Sequence, residues 1–317
     1  MSLEDLGLID YEVVDKTLLI DGDIVIYQPC CIFNEDDDQS RRMIAKYINK
    51  KIDDLMEAAG CNTYIMFVTT KFNFRDKLVD DYKANRQDVD RPVNLAWAKK
   101  WAVGKLNNHY HKWLEADDLL GIHMKEDTVL WSLDKDLRQI PGQHLDDKTR
   151  KVITVTEEGT LREDTITSAK TGKTKKKVYF DGLIGFYFQM LIGDTTDNII
   201  GCATRVNMVR KTGANKGQSY VKRSGVGSGA AMKLIAQAAM YRGSRTATEA
   251  ALDAVIGAYK KIHGNNWQVH LETQANLLFM VRKQYGEIIQ RWTYDNREEY
   301  FDLVKGVILD EYNPEDT

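Results

Sequence analysis

Cysteine is scarce in this sequence, and its placement points neither to a bridge nor to a soft metal site. Cys30, Cys31, Cys61 and Cys202 form no C-x-x-C pair, and the adjacent Cys30 and Cys31 cannot readily bridge each other. A disulfide scaffold and a cysteine zinc ribbon are excluded, and reduced, structural thiols are expected. The six histidines contain no H-E-x-x-H arrangement, and His109 and His111 read as surface residues. No apolar run approaches the roughly 18 to 20 residues of a membrane span. The opening stretch MSLEDLGLIDYEVVDK is acidic, with neither a basic start nor a long apolar segment. The expectation is a cytoplasmic protein without a membrane partner. Repeats and low-complexity linkers are also missing. TGKT at 171–174 is not a P-loop, because Thr167 stands where its first glycine belongs, so ATP use is not expected.

What is present is ordinary for a globular protein with a sizeable core: 317 residues, 43% hydrophobic and 29% charged. The net charge of -3 averages over an uneven distribution. Residues 203–223 carry Arg205, Arg210, Lys211, Lys216, Lys222 and Arg223 with no acid, and KTGKTKKK at 170–177 is a second basic run. Each reads as a solvated loop unless phosphate chemistry lies nearby.

Three apolar runs, TLLID at 17–21, TYIMFV at 63–68 and TVLWSL at 128–133, read as buried parallel strands. Between the first two, Met43, Ala45, Tyr47, Ile48, Ile52, Leu55 and Met56 fall near helical spacing, with Gly60 as a stop. A second helix is expected over about 92–108, with Trp97 and Trp101 in the core. Strand and helix alternation predicts an α/β fold with a doubly wound, mostly parallel sheet. Beyond about residue 180 the pattern is helical, preceded by KVITVTEEGTLRED and KKKVYF as short hairpin strands.

Acidic residues gather where these strands end. The first run supplies Asp21 and Asp23, and the third Asp134 and Asp136; WLEADDLLG adds Glu115, Asp117 and Asp118, and GDTTDN adds Asp194 and Asp197. Any one group can be a helix cap or an acidic loop. Four groups converging on one sheet edge would repel one another without cations. Hard oxygen ligands without histidine or cysteine select Mg2+ or Mn2+, and a pair of such ions is the arrangement that cleaves phosphodiesters.

In order along residues 17–235, LLIDGD, FRDKLVDDYKANR, EADDLLG, SLDKDLRQI, GDTTDN and GVGSGAAMKLI make the chain resemble the 5′→3′ exonuclease and flap endonuclease family, most closely the 5′→3′ exonucleases of short-tailed T-odd bacteriophages. The resemblance implies a PIN-like α/β nuclease core over 1–180 with a helical gateway at about 72–108. It also implies a mainly helical DNA-binding region over 181–317 with a helix-three-turn-helix element. Asp21, Glu115, Asp117 and Asp118 match a first metal group, and Asp134, Asp136, Asp194 and Asp197 a second. Lys83 and Arg86 of YKANR would contact the scissile phosphate, Arg75 would assist at the gateway base, and Tyr82 would stack on an unpaired terminal base. Gly225, Gly227 and Gly229 would let backbone N–H groups approach a DNA phosphate, with Lys233, Arg210, Lys211, Lys216, Lys222 and Arg223 alongside. The implied activity is Mg2+- or Mn2+-dependent 5′→3′ cleavage, with two ions per site, leaving 5′-phosphates. The implied substrate is double-stranded DNA with 5′ ends, nicks or flaps, together with RNA·DNA hybrids. A monomer in the host bacterial cytoplasm is implied as well.

Two departures stand out. The basic segment 203–223 separates GDTTDN from the glycine turn, which relatives join within a few residues. The family's carboxylate after the second strand is replaced by Thr69 and Thr70, a loss that Asp23 is expected to offset. Two other readings stay open: a catalytically impaired DNA-structure-binding protein of the same fold, and a haloacid-dehalogenase-type phosphatase with Asp21 as nucleophile and Asp23 as acid.

Overall fold

The computed structural model describes residues 15–86, 90–167, 171–210, 212 and 218–309. Its frame is a six-stranded sheet. The first half runs β1 (Thr17–Asp21), α1 (Gly22–Ile32), α2 (Asp38–Ala59), β2 (Thr63–Phe67), α3 (Leu95–Lys105), β3 (Asn108–His109), α4 (Ala116–His123), β4 (Thr128–Trp131), β5 (Gly142–Asp146) and β6 (Lys151–Val155). The strand order is β3-β2-β1-β4-β5-β6, and every pairing is parallel except that of β5 with β6. Chain order reverses between β1 and β4, where an open sheet offers a crevice beyond its strand ends.

Alternation along the strands divides the core. Leu18 and Ile20 face α1, α2 and α3 with Val25, Ile48 and Ala98, whereas Leu19, Phe67 and Leu130 face α4 with Leu119 and Leu120. In α2 the apolar positions Ile44, Ile48, Ile52 and Leu55 are buried at helical spacing, and Gly60 closes the helix at φ 65°. The expected helix over 92–108 is present over a shorter span. Its seam is made by the buried Ala98 and Ala102, and Trp97 and Trp101 lie half-buried beside them. Two large indoles cannot fit where α3 approaches α1, so alanines take the contact.

A hairpin, β7 (Leu161–Thr167) with β8 (Thr174–Phe180), leads to α5 (Gly182–Ile192). KVITV does not belong to this hairpin. It forms β6 on the main sheet, pairing Val155 with Gly142. Helix α5 packs with α6 (Ser228–Met240), α7 (Ala247–His263) and α8 (Trp267–Leu278) around Phe186, Phe188, Met190, Val255, Tyr259 and Leu271. Between α5 and α6 the basic segment is an antiparallel hairpin, β9 (Ala203–Val209) with β10 (Ser219–Gly225).

The C-terminal region is not helical throughout. After α8 a four-stranded meander forms: β11 (Gln284–Tyr285), β12 (Ile288–Gln290), β13 (Tyr300–Asp302) and β14 (Val307–Leu309). Its Ile289 and Phe301 complete the core beneath α4. These strands are two or three residues long, too short for alternation to announce them. Among the described residues no helix is long and apolar enough to cross a membrane.

Candidate active site

Asp21 ends β1 and caps α1: its Oδ1 accepts from the Ile24 amide at 3.3 Å, and its Oδ2 from the Ser132 hydroxyl at 2.6 Å. Ser132 follows β4 and its Oγ also accepts the Asp134 amide at 2.9 Å, while Asp134 Oδ1 accepts the Asp136 amide at 2.9 Å. The two strand ends at the switch point are thereby knitted together. Glu115 stands at the N-cap of α4, with Asp117 in its first turn. Asp194 and Asp197 belong to a tight loop closed by the mutual backbone bonds of Asp194 and Ile199, at 2.9 and 2.7 Å. Gly193 enters that loop at φ 70°, and a Cβ there would stand 2.2 Å from the Ile199 carbonyl, so only glycine fits. No helix starts here; Asp194 Oδ1 instead accepts the Thr196 amide at 2.7 Å. Glu115, Asp117, Asp134, Asp136, Asp194 and Asp197 line one cleft with Arg75 and Tyr82, and Asp21 borders it through Ser132.

The segment carrying YKANR is clasped onto this loop. The Lys83 amide bonds to the Asp197 carbonyl at 3.0 Å, and Asn85 Nδ2 donates to the Thr195 and Thr196 carbonyls at 2.9 and 3.2 Å. The Lys83 ammonium contacts Glu115 and lies 3.4 Å from Asp197, whose other oxygen pairs with Arg86. From 81 to 86 the described backbone holds only a short 3₁₀ turn, Ala84–Arg86, where a helical gateway is expected; residues 87–89 lie outside the described residues.

Crowding shows in the proton affinities. Burial, then the Asp23 and Asp134 charges, push Asp21 up to about 7. Burial and Asp134 likewise push Asp136 up to about 7, with the neighbouring Asp194 carboxylate adding to the rise. Asp117 is raised well above the ordinary carboxylate range by burial and by Asp21, Asp134 and Glu115. Burial works to raise Glu115 too, but Lys83 and Arg75 outweigh it and bring the carboxyl to about 2. These acids lack positive charge except where Arg75, Lys83, Arg86 and Lys135 supply it. The donor set is entirely carboxylate oxygen, the chemistry of a Mg2+ or Mn2+ site. As placed, no three acids among the described residues stand close enough to hold an ion. Lys83 bridges Glu115 and Asp197, and Lys135 reaches Asp136 at 2.5 Å and Asp194 at 3.5 Å.

Several expected site residues are engaged elsewhere. Asp118 is fully buried and takes a two-pronged ion pair from Arg75, at 2.7 and 2.8 Å, plus the Val281 amide at 3.1 Å. Arg75, 1% exposed, also donates to the Leu277 and Phe279 carbonyls at 3.0 and 2.7 Å. Asp118 is thus held in the interior, and Arg75 joins it to Glu115, which it reaches at 3.4 Å. Asp23 pairs with Lys99 at 2.6 Å and accepts the Thr69 amide at 3.2 Å. That employment offers no replacement for the missing carboxylate and leaves the phosphatase reading without its acid. Thr69 Oγ1 accepts the Ala116 amide at 2.9 Å, and Thr70 Oγ1 donates to the His111 and Lys112 carbonyls. An aspartate at 70 would meet those carbonyl oxygens rather than an ion. Tyr82 is 8% exposed and donates to Glu115 at 2.9 Å, so no ring face is offered to a base here.

On the basic hairpin, Arg223 turns inward and donates to the Ile200, Leu191 and Val226 carbonyls. Gly225 is required by packing, since a Cβ would stand 2.3 Å from the Cys202 carbonyl. Gly227 and Gly229 face open space, and Lys222 and Lys233 are exposed. Arg210 follows β9, whereas Lys211 and Lys216 lie outside the described residues. Sequence reading missed Ser132, Lys135 and Asn85. Each lies inside a motif already quoted, but a single hydroxyl, amide or ammonium carries no signal until its partner is placed.

Fold and cleft together define an α/β protein whose parallel sheet presents a carboxylate-lined site at its switch point. No protein-family model and no curated protein matches the chain. Among solved structures it is similar to the T5 D15 protein co-crystallized with metal ions, with a TM-score of 0.47 and 15% identity, covering 84% of this chain and 86% of that one. It is also similar to a mutant T5 5′-exonuclease, with a TM-score of 0.46 and 14% identity, covering 84% and 85%.

Proposed function

We propose that the protein is a divalent-cation-dependent 5′ nuclease. It hydrolyses phosphodiesters at 5′ ends, nicks and flaps of duplex DNA and in RNA·DNA hybrids, leaves 5′-phosphates, and acts as a monomer in a host bacterial cytoplasm. The observation that supports this reading best is the cleft at the switch point, lined by carboxylates from three chain segments with Asp21 at its border, beside Lys83 and Arg86. Asp21, Glu115 and Asp117 would hold one Mg2+ or Mn2+ ion, and Asp134, Asp136, Asp194 and Asp197 a second. Bound together, such ions supply an activated water and stabilise the leaving oxygen. The protein's own part is to place charge. Ser132 fixes Asp21 against Asp134, and the Asp194–Ile199 turn fixes Asp194 against Asp136. Lys83 and Arg86, released from Glu115 and Asp197, would meet the phosphate where negative charge builds in the transition state. The exposed Lys222 and Lys233 stand to contact duplex phosphates.

The test is cleavage of labelled blunt, recessed, nicked and flapped duplexes in Mg2+ or Mn2+, with a chelator as control. The expected result is metal-dependent release from 5′ ends with 5′-phosphate products. Intact substrates in both metals would overturn the reading.

A further inference from the structure

Beside the cleft, the loops leaving β2 and β3 carry an aromatic and basic platform that the proposed hydrolysis does not use. Phe72 is 43% exposed, and its ring lies 5.2 Å from that of Trp113, tilted by 45°. Three lysines surround the pair. Lys112 Nζ stands 5.5 Å from the Phe72 ring and 4.9 Å from the Trp113 ring, Lys71 Nζ 5.8 Å from Phe72, and Lys77 Nζ 4.0 Å from Trp113. No carboxylate pairs with Lys71 or Lys112 among the described residues. Lys77 is tied down, donating to the Leu303 and Val304 carbonyls at 2.6 and 3.0 Å, and so braces the indole from behind.

The platform is held in place from below. Thr70 joins the two loops through the His111 and Lys112 carbonyls, the Phe74 amide bonds to the Trp113 carbonyl at 2.9 Å, and Thr69 receives the Ala116 amide. Trp113 is two residues from Glu115, a separation the backbone spans in about 7 Å. The platform and the cleft are thus carried by the same short stretch of chain.

We infer that Phe72 and Trp113, with Lys71 and Lys112, form a stacking site for the unpaired nucleotides of a DNA strand whose phosphodiester enters the cleft. This inference rests on the nuclease reading for its strand and on the platform alone for its chemistry. Any base can stack on an exposed aromatic ring, and unpaired ammonium groups beside the rings match the phosphates that accompany a stacked base. A peptide partner would equally use the rings but would match the two lysines only if acidic side chains flanked its apolar ones, whereas every nucleotide brings a phosphate beside a ring that can stack. Nucleic acid is therefore the occupant that the charge pattern fits.

The experiment measures binding of a labelled oligothymidylate and of a blunt duplex by anisotropy in chelator, where nothing is cleaved. Wild type is compared with Phe72→Ala, Phe72→Trp and the pair Lys71→Ala with Lys112→Ala, after confirming unchanged melting temperatures. Phe72→Ala should weaken single-strand binding about tenfold and Phe72→Trp should restore it. The lysine pair should flatten the single-strand salt slope by about 0.7 per lysine. The blunt duplex should be little affected. Equal single-strand affinity and salt slope across the folded variants would overturn the inference. Cleavage of flapped and blunt duplexes in Mg2+ separates the two readings: a wild type that cleaves while the variants bind single strands normally removes the platform and keeps the nuclease. A wild type that binds single strands through Phe72 but cleaves nothing does the reverse.

Discussion

The Lys83 ammonium stands between Glu115 and Asp197, in contact with the first and 3.4 Å from the second. A side chain expected to meet a phosphate is thus parked on the acids that would hold an ion. The lysine and the ion compete for the same oxygens. Lys83→Ala should lower the Mn2+ concentration at half-saturation severalfold, read by calorimetry, while slowing cleavage about 100- to 1000-fold, as loss of transition-state charge does. Unchanged metal affinity would mean that the ammonium and the ion occupy separate places.

Asp117 and Asp118 are neighbours with opposite employment, and their variants should separate cleanly. Asp118→Asn breaks the interior pair with Arg75 and should cost about 3 to 5 kcal/mol, seen as a large drop in denaturant midpoint. Asp117→Asn removes a crowded charge. It should leave folding intact or slightly improved in chelator and abolish cleavage. If Asp118→Asn melts like wild type, the interior tie is not what that carboxylate does.

Asp194→Asn combined with Asp197→Asn should abolish cleavage or slow it drastically while duplex binding survives, because no phosphate contact is lost. Cleavage at the wild-type rate in Mg2+ would remove this loop from the site.

The cluster also predicts a pH dependence of stability. Asp21 and Asp136 take up protons more readily folded, at about 7, than unfolded, near the ordinary value of 3.8. Between those limits the native state binds more protons, so their contribution to stability is largest at low pH and declines as pH rises through about 7. Asp136→Asn should flatten that decline in chelator, and added Mg2+ should flatten it in the wild type. Urea midpoints measured at intervals from pH 5 to 8 provide the check, and an identical slope in the variant would contradict the crowding.

On the basic hairpin two neighbours should also part company. Arg223→Ala removes three hydrogen bonds to carbonyls and should cost about 2 kcal/mol of stability. Lys222→Ala should leave stability alone and reduce the slope of duplex affinity against salt by about 0.9. A salt slope indifferent to Lys222 would make this face a solvated one.

The frame was legible because burial writes itself into long patterns. TLLID, TYIMF and TVLW are strands, β1 and β4 almost wholly buried and β2 buried at its end, and in α2 Ile44, Ile48, Ile52 and Leu55 share one buried face. The acids were legible as a set because strand ends at a switch point share one edge. Their individual employment was not. EADDLLG places Asp117 and Asp118 side by side, and only the arrival of Arg75 from another loop decides which is interior. Asp23 could not be distinguished from Asp21 until Lys99 was placed beside it. The meander from Gln284 to Leu309 escaped notice because its strands are too short to show a period.

Arg75 and Asp118 reach far along the chain, to the carbonyls of Leu277 and Phe279 and the amide of Val281. The start of α4, which carries Glu115 and Asp117, is therefore anchored to residues synthesised about 160 positions later. During translation at about 5 to 20 residues per second, these acids emerge roughly ten to thirty seconds before their anchor exists. A nascent chain holds every acid of the cleft without the brace beneath it. The activity proposed here would then switch on only once Val281 has been added, and a chain truncated just before Leu277 would lack it while keeping every acid of the cleft.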